Sequence, residues 1–544
     1  MRRFSLLGAV LLVLGVVYVT AWRTQPGASQ SAALSGAPQA VAVTSVTRSC
    51  PPPAPGTGAA HIAMIAMPSQ AAAPKTGAGA AAPGSAALSA VPAAPAAATQ
   101  PAGTKPSGTA KPSGTAKPTG TANPTASRQA AGAQSGTATR PSASARPTAK
   151  ATPAAQPVTV STPGALTTLT APAATGFGGT AVAATGQMAE GFEAEQVNSS
   201  GMGVVSCTHP GSDMWFTGTG AEAGATQIRL YLMNTGDLPA GANVTILTDT
   251  GLQPGLNTGI TIAPHEFVTE NIAPLVHGSL ALALHVQTTS GQVAASVWEG
   301  SGASGAWLPQ AAAPSTSLVI PGLTVASSAA KLFVAVPGAA DARLKVVAFT
   351  AQGNFPQFGS TPVDAPAGAT SFFALSSLGA SPAGLAISST EPVVVGVLVP
   401  GTGIGSFTTA AGPVTEQGVV AGNPAARGLT VGLVLTAPAA AARANISVVG
   451  SGAAGATGAG GEQAVTVQAG HTVAVSVPRP QGSRLPFAIV ITPAAGSGPL
   501  YAARVVTTGT GGLSAPLASL LPVPSALTTI TLPPAENSYT AVLP

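Results

Sequence analysis

Charged residues are scarce in this chain: they make up 7% of 544 residues, and aromatics only 4%. Too few Glu and Lys residues are present to cover the exposed faces of a helical bundle, which excludes a mainly helical protein. Acid is missing altogether from residues 1–189, which carry twelve Lys and Arg, whereas residues 190–544 carry nine against sixteen Asp and Glu. The net charge of +5 therefore hides a basic first third and an acidic remainder. The basic part is sparse and poor in aromatics, which argues against nucleic acid as a partner and leaves two readings, a flexible region facing anionic envelope polymer or phospholipid, or charge that serves solubility alone. Only two cysteines occur, and no C-x-x-C spacing, so no zinc site is expected. A G-x-S-x-G elbow, a phosphate-cradling G-x-x-x-x-G-K and a dinucleotide fingerprint are all absent. Ser328 and Lys331 match S-x-x-K, but the companion K-T-G stands upstream at Lys75–Gly77, the wrong order for that chemistry. His265 and Glu266 lack a second histidine four residues on, and His277 and His285 read as structural or surface groups. No catalytic, cofactor-binding or metal-ligating residue is expected, and the chain reads as a non-enzyme without a cofactor.

What is present begins with MRRFSLLGAVLLVLGVVYVTAWR, residues 1–23. Arg2 and Arg3 precede an uncharged run from Phe4 to Trp22, long enough to cross a hydrocarbon core of about 30 Å, with Tyr18 and Trp22 suited to its outer interface. The run reads as a signal anchor that places the rest outside the cytoplasm, as a single-pass protein of the cell membrane. Val19 and Ala21 leave a cleaved signal peptide, and a secreted product, as the competing reading. In an exported chain two cysteines, each after a strand-like run, read as one disulfide, Cys50–Cys207. Residues 24–67 form a membrane-proximal segment with an alternating strand over 39–50. Residues 68–157 are nearly all Ala, Pro, Thr, Ser, Gly and Lys, with KPSGTA, KPSGTA and KPTGTA in succession at 105–122. Such a tract buries too little apolar area to offset its ordering entropy and is expected to be disordered. With the cysteines bridged, it becomes a loop thrown out from a folded body.

The rest is written in three copies of about one hundred residues. IRLYLMN (228–234) then NVTILTDTG (243–251) recurs as KLFVAVPG (331–338) then RLKVVAFTAQG (343–353), and as LTVGLVLTAP (429–438) then ANISVVGSG (444–452). Each copy has an opener (WFTGTG, LVIPGL, GVVAGN) and closes on two strands around a Gly, Thr or Pro turn. Many short strands at such spacing predict a mainly β protein of three tandem immunoglobulin-like sandwiches, over 158–307, 308–407 and 408–544, the last with a C-terminal strand. A single larger solenoid or propeller-like body sharing strands between copies is the alternative.

CPPP around Cys50, SCTHPGSDMWFTG around Cys207 and the RLYLMN to NVTILTDTG module resemble an actinobacterial family of exported, membrane-anchored proteins recorded only as a domain of unknown function. The resemblance implies a cell-envelope role and carries no catalysis. The uneven feature of the body is aromatic: Trp215, Trp298 and Trp307, with Tyr231, all fall in or just after copy one. They read either as core filling or as a stacking face for sugar rings or a partner's apolar side chains. Two functions follow: a non-catalytic, envelope-anchored scaffold that binds a protein partner, or a module for carbohydrate or cell-wall polymer.

Overall fold

The computed structural model describes residues 39–67, 84–92, 159–171 and 177–532, the last range without 303, 325–329, 376–377, 379–380, 402, 452–461, 481–484 and 510. The anchor over 1–23 and most of the low-complexity tract lie outside these residues. Among the described residues no helix is long and apolar enough to cross a membrane. The fold is mainly β, with only short 3-10 turns between strands.

Copy one shows the building plan. Its eight strands are Asp213–Thr219, Gln227–Met233, Ala240–Thr248, Gly251–Ile262, Phe267–Asn271, Ala281–Ser290, Ala294–Ser301 and Ser304–Leu308. Strands one, six, three and four form one antiparallel sheet in that order, and strands five, two, seven and eight form the other. Period-two alternation decides which side chains lie between them. Ile228, Leu230 and Leu232 enter the core with Val244, Ile246, Leu284 and Val297, while Tyr231 and Met233 face outward. Copy three repeats the same order from Gln417–Asn423 to Leu517–Pro522. Copy two repeats it with its sixth and seventh strands fused into Ala383–Val399, one half in each sheet.

The same plan appears a fourth time, ahead of the three. Ser45–Cys50, Ala60–Ala66, Ala86–Pro92, Thr159–Val160, Thr167–Ala171, Phe177–Thr185, Phe192–Asn198 and Val204–Ser206 pair in the identical order around a core of Ile62, Met64, Leu88, Val182 and Phe192. Strands read as a lead-in to copy one thus belong to a complete leading copy. The tract read as disordered over 68–157 also contains a strand, Ala86–Pro92, whose Ala86, Leu88 and Val91 are buried. Its small residues hide it in the surrounding Ala-rich composition, and only pairing with Phe177–Thr185 makes it a strand. Residues 93–158 connect Ala86–Pro92 to Thr159–Val160, and these two strands pair at Ala87 and Thr159.

The strand order is not that of an immunoglobulin domain, in which the first two strands share a sheet. Here strands one and two lie in opposite sheets in every copy. The copies are also not a string. Val91 and Ala181 of the leading copy pack against Met233, Phe267 and Trp298 of copy one. Trp215, Leu247 and Ala283 of copy one meet Ala335 and Val394 of copy two. Gly322 of copy two lies against Val434 and Ala503 of copy three, and Val419, Ala421 and Val490 of copy three meet Ala63 and Ile65 of the leading copy. Each one-six-three-four sheet therefore covers the five-two-seven-eight sheet of the next copy, and the last returns to the first. Gln39–Ala42 pairs with Thr529–Leu532 and clasps the two ends. The result is a closed, propeller-like ring, which removes the free sheet faces that a row of sandwiches would leave at its ends.

Candidate functional site

The eighth strands of the four copies come together in the middle of the ring, where they border two cavities. The larger, of about 590 Å³, is bordered by the leading copy, copies one and three and the links on either side of copy two, among them Phe192, Trp307, Ala411 and Leu521. Its charged members are on the leading copy. Arg48 donates to Glu193 at 2.7 Å and to the Phe192 carbonyl at 3.2 Å. Burial pushes the Glu193 carboxyl up, against the pull of Arg48, and burial with the nearby Arg48 charge pushes His209 down.

The smaller cavity, of about 240 Å³, is bordered by all four copies, through Gln196, Trp298, Gly405 and Ser519 among others. Trp307 and Leu521 border both cavities and form the waist between them. No charged side chain borders the smaller one. Gln196 is 3% exposed; its Nε2 donates to the Pro52 carbonyl at 3.3 Å and its Oε1 has no donor. Ser200 donates to Asn198 at 2.8 Å on the same rim.

Beside the cavities, Glu195 crosses the joint between copy three and the leading copy. The missing side chain of Gly422 makes room: a Cβ there would lie 2.7 Å from Val197 and 2.9 Å from Glu195. The Gly422 amide donates to the Glu195 carboxylate at 2.8 Å. Burial raises the Glu195 carboxyl while Arg504 lowers it, and Arg504, fully buried, donates to Ser519 at 3.2 Å. Glu299, also fully buried in copy one, accepts from the Thr219 amide at 3.2 Å and hydroxyl at 2.9 Å. With no cation to balance it, burial pushes its carboxyl up to about 8.

Cys50 and Cys207 are joined as a disulfide that ties the first strand of the leading copy to the segment after its eighth. Trp215, Trp298, Trp307 and Tyr231, expected as a candidate binding face, are buried rather than set on an open surface. They are 5%, 2%, 7% and 5% exposed, respectively. Tyr231, Trp298 and Trp307 fill the joint with the leading copy, and Trp215 fills the joint with copy two, stacked on His285 with ring centroids 4.0 Å apart. The Trp298 ring occupies space left by Gly300 and Gly305, so its faces are covered by its own hairpin. A stacking platform needs an open ring face, and none of these residues offers one. Ser328 lies outside the described residues; Lys331 lies over the Phe372 ring. His265 pairs with Asp237 at 2.9 Å on an exposed turn. Among the described residues no three His, Cys, Asp or Glu side chains are grouped to hold a metal ion.

Sequence reasoning passed over Gln196, Glu195 and Glu193. A signal was there: FEAEQVN alternates acids with apolar residues, so a strand puts Glu193 and Glu195 on one face, and buried acids need partners. Arg504 in YAARVVTT carried the same signal from the other side of the joint.

No curated protein and no solved structure matches the chain. A family model described as a family of unknown function, DUF5719, matches residues 158–478, from the fourth strand of the leading copy to just past the fifth of copy three. On that match, which covers more than half its length, the chain belongs to the DUF5719 family.

Proposed function

We propose that this protein is a non-catalytic scaffold of the cell envelope, held at the membrane by residues 1–23, whose ring of β-sheets binds protein or polymer partners outside the cytoplasm. The observation that carries this reading is the closed ring. Four joints filled with buried side chains and a terminal clasp give a stiff platform, and the basic, repetitive tract leaves it through a single hairpin. The disulfide suits an oxidising compartment. The basic tract supplies charge for an anionic envelope polymer, and such binding weakens steeply with salt.

In-cell crosslinking with the full chain as bait, followed by identification of captured partners, tests the reading. Capture of envelope proteins or wall polymer from the membrane fraction is the expected result. Recovery of the chain in the cytosolic fraction with both thiols free would remove it. Binding of isolated anionic wall polymer is expected to fall at least tenfold between 50 and 200 mM salt, on the order seen when several cationic contacts are screened.

A further inference from the structure

We propose that the smaller axial cavity is a binding site for a small, neutral, polyhydroxylated ring, such as one sugar residue, which goes beyond the scaffold role. Size sets the first limit. At about 240 Å³ the cavity falls below the roughly 300 Å³ at which pockets for drug-sized ligands begin, so it holds one small ring rather than an oligomer. Charge sets the second. None of the bordering side chains is ionisable, and Arg504 reaches the wall only through Ser519, so an anionic or cationic ligand would give up hydration without a direct ion-pair partner.

The third argument is the chemistry of the wall. Gln196, Asn198, Ser304 and Ser519 border it together with Trp298 and Trp307. A ligand with hydroxyls on its rim and C–H bonds on its faces matches that mixture, the indole edges taking the C–H groups. Gln196 supplies the specific demand. Its Nε2 donates to the Pro52 carbonyl, and its Oε1, itself buried, accepts nothing in a residue 97% removed from solvent. A buried acceptor without a donor costs about 1–3 kcal/mol. The terminal amide torsion is the softest of the side chain, and a turn that trades the long Pro52 bond for a ligand hydroxyl would satisfy Oε1. The ligand therefore donates to Gln196, which a purely apolar guest cannot do. All four copies contribute to the wall, so the site exists only in the closed ring.

Saturation-transfer NMR on the full chain, with glucose, galactose, arabinose and myo-inositol as probes, tests this. At least one probe is expected to receive transfer and to shift tryptophan fluorescence, with glucuronate and glucosamine binding at least tenfold more weakly. Gln196→Leu is expected to lower affinity tenfold or more without lowering the unfolding midpoint. Ser304→Phe, at the exposed rim, is expected to abolish binding while leaving the core untouched, and His209→Ala at the larger cavity is expected to change nothing. Absence of transfer to every probe, as for a cavity that holds only water, overturns the proposal. So does equal binding by Gln196→Leu, or by Ser304→Phe with its fold intact.

Discussion

Glu299 is the residue where burial and charge conflict most sharply. Its carboxyl is held near 8 in the fold, well above the ordinary value near 4.3 of the unfolded chain. Because the folded state keeps the proton longer, its contribution is fully present below the unfolded value and is lost as pH rises through about 8. The slope it adds approaches about 1.4 kcal/mol per pH unit in that window. Chemical denaturation from pH 5 to 9 is expected to show stability falling with pH, and Glu299→Gln to flatten the fall. Glu193 and Glu195 are shifted in the same direction and leave a residual slope. Trp298 is the opposite case, an apolar residue whose worth is packing. Trp298→Ala opens a cavity between Gly300, Gly305 and the leading copy and is expected to cost about 3–5 kcal/mol, read as a lowered denaturation midpoint.

At the scale of elements, the joints between sheets deserve the name of core as much as the sandwich interiors do. Small residues let neighbouring sheets approach: Gly322 faces Val434 and Gly422 faces Val197 and Glu195. Gly422→Ala puts a methyl group into contact with both residues of the leading copy, and overpacking of this kind costs about 1–3 kcal/mol. Faster amide exchange in Phe192–Asn198 and Gln417–Asn423, with the copy one core unchanged, is the expected outcome. These glycines are visible in the openers LVIPGL and GVVAGN. Their purpose was not, because a glycine in a strand reads equally as a bulge or a close approach until the neighbouring sheet is in place.

For the whole molecule, the ring and its disulfide make the N-terminal strands part of one cooperative body. Cys50→Ser with Cys207→Ser releases a loop of 157 residues, which the chain-entropy model puts at about 5 kcal/mol or less. Denaturation is expected at lower urea in the double variant and in reduced protein alike. Residues 94–155 leave and re-enter through one hairpin, so replacing them by a short turn is expected to leave the thermal midpoint within a few degrees of the parent, since loop-closure entropy varies slowly with length. A large fall would show that the tract packs on the ring.

Composition and alternation by themselves determined that the chain is mainly β, that a strand grammar recurs every hundred residues and that Cys50 pairs with Cys207, because strand periodicity and disulfide chemistry are local or compositional. Tertiary structure alone decided the leading copy, the placing of strands one and two in opposite sheets and the closing of the ring. Ala86–Pro92 is a strand only through its partner, and Thr159–Val160 is two residues long, too short for any period to show. The tryptophans make the same point. Their clustering in copy one was legible, but whether an indole is a platform or a filler depends on what lies over its face. Here the leading copy lies over it, and the opening that remains is the small axial cavity beside Gln196.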